Sequence, residues 1–64
     1  MQISTTAEFL ADIEEFLART GISASAFGKE VMSDPNFVSD LRAGRSPSLK
    51  AAAQVAEFIN GWDA

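Results

Sequence analysis

The chain contains no cysteine and no histidine. The first absence excludes disulfides, thiolate zinc sites and a cysteine nucleophile. The second removes the commonest general base and the commonest metal ligand. Ser23, Ser25 and Lys29 make no nucleophile–base arrangement, and Asp12, Glu14 and Glu15 read as a solvated helix face. No catalytic residue, metal site or cofactor is expected. Apolar runs are short, and none approaches the roughly 18 residues of a membrane span. The opening residues, with Gln2, Ser4, Thr5, Thr6 and Glu8, lack the basic start and apolar stretch of a signal peptide. A soluble cytoplasmic protein without a membrane partner is the expectation. Positive charge is scarce as well: five Lys and Arg stand against nine Asp and Glu, for a net charge of −4. Such a balance disfavours phosphate binding, which draws on Lys and Arg.

The scarce cations are unevenly placed. Lys29, Arg42, Arg45 and Lys50 fall within residues 23–50, where the sum is +1, while the flanking segments sum to −3 and −2. With 64 residues there is room for one domain, 1–64, and one small core. A chain of this size buries only about 60% of its unfolded surface.

Helical patterning fills nearly all of it. Thr5 with Glu8 makes a capping box for a first helix, whose Phe9, Leu10, Ile13, Phe16 and Leu17 share one face. Gly21 ends that helix. Ser23 caps a second, carrying Phe27 and Val31 inward, with Gly28 in its interior. An interior glycine costs up to about 1 kcal/mol relative to alanine, so a close approach by another segment is expected there. Ser46-Pro47 launches the last helix and Asn60-Gly61 stops it. That helix has two apolar stripes. Leu49, Ala52, Ala53, Ala56 and Ile59 read as its core face. Ala51, Val55, Phe58 and Trp62 are left as a second face, which either covers the first helix or pairs with a second copy. No strand-like alternation appears. The expected fold is a compact all-α bundle of four or five short helices.

Between the second and last helices lies the run 34–47. Asp34 caps, Pro35 suits the first helical position, Val38 and Leu41 point inward, and Gly44 stops the helix. Asn36, Ser39, Asp40 and Ala43 then fall outward over a helix spanning 34–43. A helix this short needs its neighbours to hold it. Phe37 is read as packing beneath the turn.

Two short helices joined by a tight turn, with a small residue in the first, resemble the helix-turn-helix of lambda-repressor/Cro (XRE-type) DNA-binding domains. The resemblance covers Ser23 to about Ile59. Gly28 stands at the family's small position, Phe27, Val31, Val38 and Leu41 at its buried positions, and Leu41-Arg42-Ala43-Gly44-Arg45-Ser46-Pro47-Ser48-Leu49 matches its ending. Met32 stands where the turn glycine is usual, and Ala24 where many members place a phosphate-touching glutamine.

The resemblance implies a transcription regulator that sets helix 34–43 in the major groove of double-stranded DNA. Asn36 would read adenine, Asp40 would accept from cytosine N4, and Ser39 would serve base or backbone. Arg45 and Lys50 would touch phosphates, and Arg42 is a further DNA-binding candidate whose position leans away from the groove. It also implies pairing through the last helix, as a weak homodimer seamed by Val55, Phe58 and Trp62. The acidic balance keeps a second reading open: a helix-turn-helix module whose partner is a protein of the transcription machinery.

Overall fold

In the computed structural model, which describes residues 6–62, four helices follow one another: α1 (Thr6–Thr20), α2 (Ala24–Met32), α3 (Phe37–Arg42) and α4 (Leu49–Trp62). Among the described residues there is no strand, and no helix is long and apolar enough to cross a membrane. The all-α expectation holds with four helices. The cap expected at Thr5 lies outside the described residues.

Local chemistry sets most of the boundaries. Gly21, at φ 78°, ends α1 by donating its N–H to the Leu17 carbonyl at 2.8 Å. Ser23 caps α2 by accepting the Ala26 N–H on Oγ at 3.1 Å. Beyond α3, Gly44 takes φ 104°. The Gly44 N–H reaches the Leu41 carbonyl and the Arg45 N–H reaches the Asp40 carbonyl, each at 3.0 Å. Those two bonds close a Schellman motif and satisfy the end of a very short helix.

Three boundaries differ from the sequence reading. Asp34 does receive a donor, the Asn36 N–H at 3.0 Å, but the 34–37 segment forms a tight turn and the α-helix begins only at Phe37. At α4 the capping serine is Ser48, whose Oγ accepts the Ala51 N–H at 3.0 Å, so the helix starts two residues after Pro47. Gly61 does not stop α4, which continues through Trp62.

The core is Ile13, Phe16 and Leu17 from α1, Phe27 from α2, Val38 and Leu41 from α3, and Ala51 and Val55 from α4. Phe16, Phe27 and Phe58 meet with ring centroids 5.6–6.1 Å apart, in tilted or edge-on arrangements that suit their quadrupoles. Trp62 adds an edge contact to Phe16 at 5.7 Å.

This packing turns most of the expected α4 core stripe outward, although Ile59 packs against the core and Ala52 is half-buried. Leu49 is 91% exposed, and Ala53 and Ala56 also face water, while Val55 is buried and Phe58 packs against the core. Ring packing explains the choice: Phe58 meets Phe16 and Phe27 with centroids 6.1 and 5.6 Å away, which brings Val55 and part of Trp62 inward with it. The seam expected from Val55, Phe58 and Trp62 is therefore mostly the interior of a single chain. Trp62 alone keeps about half its surface in water, at 51%.

Gly28 shows why α2 and α3 sit where they do. A Cβ there would lie 2.4 Å from the Asp34 carbonyl oxygen and 3.1 Å from Phe37 Cβ. The missing side chain lets the turn lie directly on α2, and the Asp34 N–H donates to the Gly28 carbonyl at 3.2 Å. The left-handed residue of this turn is Ser33, at φ 55°, one position after Met32. A non-glycine there costs about 1 kcal/mol or more, which the αL cap from the Ser33 N–H to the Lys29 carbonyl at 3.0 Å helps to offset.

Candidate nucleic-acid interface

α3 has six residues and cannot persist alone in water. Val38 and Leu41 anchor it in the core, Phe37 is half-buried under it, and α1 and α2 both pack on it. The opposite face is thereby fixed in solvent. Asn36 and Ser39 are exposed on that face, with Ala43 beside them. Asn36 sits at the N-cap position, yet its side chain makes no capping bond. Its amide can therefore meet a ligand without dismantling the helix start.

The charged candidates divide. Arg45 Nη1 donates to Asp40 Oδ2 at 3.1 Å, so the phosphate candidate and the acid beside it partly cancel. Lys50, exposed in the first turn of α4, has no ion-pair partner among the described residues. Arg42 is separated from the others. Its guanidinium grips Glu14 of α1 in a two-point fork, Nε to Oε2 at 2.7 Å and Nη2 to Oε1 at 2.8 Å. Hydrogen bonding from Arg42 holds the Glu14 carboxyl below its ordinary range, and the same fork raises the Arg42 pKa. Position explains it: Arg42 follows Leu41 on the flank of α3 nearest α1, about 100° from the outward stripe. Arg42 is thus a tie between α1 and α3, turned away from Asn36, Ser39 and Asp40.

A cleft of about 280 Å³ opens where the 44–48 loop meets α3, with Phe37, Leu41, Pro47 and Ala51 among its walls and Asp40 and Arg45 at its rim. No sequence pattern announced it, since it depends on the path of the loop. Glu14 was equally hidden, because it is 28 residues from its partner Arg42. The structure thus brings Asn36, Ser39, Asp40 and Arg45 together on and beside one short helix, places Lys50 on the next, and sends Arg42 elsewhere.

No family model, curated protein or solved structure matches the chain.

Proposed function

We propose that the domain binds double-stranded DNA as a transcription regulator, with 34–43 entering the major groove. The observation that carries this reading is the braced, solvent-facing stripe of α3, whose Asn36 amide and Ser39 hydroxyl have no structural duty. Asn36 has the donor and acceptor pair that reads adenine N6 and N7, and Ser39 can serve a base edge or a phosphate. Lys50 and Arg45 flank the stripe as phosphate contacts. Arg45 reaches a phosphate by exchanging its bond to Asp40 for one to the backbone.

Few cations make this a weakly electrostatic complex. Two phosphate contacts per chain give a slope of log K against log salt of about −2. A second reading gains from the same ion pairs: with Arg42 and Arg45 both matched by carboxylates and a net charge of −4, α3 would instead meet a protein surface. Salt separates the two, because an apolar protein interface responds little to ionic strength. The test is selection of duplexes from a random pool, followed by affinities of wild type and Asn36→Ala on the selected site. The DNA reading expects a selected site at which the variant loses preference for one base pair. A pool that yields no preferred sequence at low salt, with no affinity above background, overturns it.

A further inference from the structure

Away from the α3 face, α2 and α4 border a shallow, open groove made of two neighbouring recesses. The first, about 340 Å³, lies between Glu30 and Val31 of α2 and Gln54, Glu57 and Phe58 of α4. The second, about 240 Å³, shares Glu30 and Phe58 and extends past Ile22, Ala26 and Trp62. The sharing of two residues makes the recesses contiguous. Charge along the groove has one sign: the titratable groups lining it are the carboxylates of Glu30 and Glu57, and no cation lines either recess. Neither carboxylate has an ion-pair partner among the described residues. Beside them the Trp62 indole leaves half its surface in water although it packs on Phe16 and Phe58.

We propose that this groove docks a cationic, apolar segment of a partner protein. One arginine or lysine side chain lies between Glu30 and Glu57, its stem against Val31 and Phe58. One aromatic or large aliphatic side chain fills the neighbouring recess against Ile22, Ala26 and Trp62. Charge complementarity selects this occupant. Two exposed carboxylates that line one recess together with Val31 and Phe58 match a guanidinium or ammonium group on a long stem, and the overall charge of −4 draws a basic segment from a distance. The same carboxylates repel a nucleic-acid backbone. Because the recesses share Glu30 and Phe58, the two anchors must be neighbours on one face of the partner, as at i and i+4 of a helix. Asn36, Ser39, Ala43 and Lys50 line neither recess, so DNA and the partner can be held together. The inference goes beyond DNA binding and does not depend on it.

The probe is an acetylated, amidated Ala/Gln-rich helical peptide with Arg and Phe four residues apart, titrated into the isotope-labelled full chain. Saturable amide shifts are expected at Ala26, Glu30, Glu57 and Phe58, with a change in Trp62 emission. Exchanging the peptide's Arg for Glu, or its Phe for Ala, should weaken binding about tenfold or more, equivalent to about 1.4 kcal/mol. Glu30→Gln with Glu57→Gln, two surface changes that leave the melting temperature in place, should cost about as much. Absence of saturable shifts overturns the proposal, as do equal affinity for the Arg-to-Glu peptide, shifts centred on α3, or shifts of the groove residues by a DNA duplex. Failure of the DNA reading shows instead as unshifted Asn36, Ser39 and Lys50 in a duplex titration, whatever the peptide does.

Discussion

Replacing Gly28 with alanine should unfold the domain more easily, although alanine is the better helix former. At an open helical site the change gains up to about 1 kcal/mol. At Gly28 the new Cβ would stand 2.4 Å from the Asp34 carbonyl oxygen and 3.1 Å from Phe37 Cβ. The first contact is with backbone and cannot be relieved by a rotamer change, so the 34–37 turn must move. Overpacking of this kind costs about 1–3 kcal/mol. The displacement also strains the Asp34 N–H to Gly28 carbonyl bond, 3.2 Å long, worth about 0.5–1.5 kcal/mol. Subtracting the full helix gain leaves a net loss of about 0.5–3.5 kcal/mol. A domain this small has about 3–5 kcal/mol in all, and each kcal/mol moves its Tm by roughly 4–8 °C. The assay is a thermal melt by circular dichroism, with Gly61→Ala as the control. A Cβ at Gly61 meets nothing within 4 Å, so that variant should melt at or above wild type. Gly28→Ala melting at or above wild type would refute the close-approach reasoning.

Other consequences follow from the same packing and charges. Leu41→Ala should cost about 2–5 kcal/mol whereas Leu49→Ala, at a residue 91% exposed, should stay within about 0.5 kcal/mol; equal effects in denaturant titrations would mean that the α4 face is wrongly oriented. Asp40→Asn frees Arg45 and removes a carboxylate from the face proposed to meet DNA, so under that proposal it should tighten DNA binding and steepen the salt slope by up to about one. Arg45→Ala and Lys50→Ala should each flatten that slope by a similar amount, for all sequences alike. Glu14 has a folded-state pKa below its ordinary value of 4.5, so the stability it contributes is present above that value and lost as the pH falls through the folded-state pKa. Wild type should therefore outlast Glu14→Gln in melts at neutral pH, with the gap closing in acid; a gap that persists at low pH would contradict the fork as its cause.

Helix caps were legible where a single residue decides them and misplaced at Asp34, Ser46 and Gly61, where the path of the neighbouring loop or helix decides instead. Ser23, Gly21 and Gly44 act where their chemistry says, and Gly28 advertised a close approach through its poor helix propensity. The face of α4 was not legible. Its two apolar stripes are centred about 125° apart on the helical wheel but meet at Ile59 and Val55, about 40° apart, and the choice between them is made by Phe16 and Phe27, which come from other helices and demand Phe58. Sequence spacing likewise placed Arg42 near the cationic loop without showing that Glu14 waits on its other side. The outward set of Asn36, Ser39, Asp40 and Ala43 follows from Val38 and Leu41 alone, since two buried positions fix the rotation of so short a helix.

The central claim, that the outward face of α3 meets DNA, is tested most directly by titrating the isotope-labelled chain with a random-sequence duplex at low salt and following every amide. The account predicts shifts concentrated at Asn36, Ser39, Ala43, Arg45 and Lys50 that collapse as salt is raised. Shifts absent at high concentrations of both, or unchanged by salt, would contradict it.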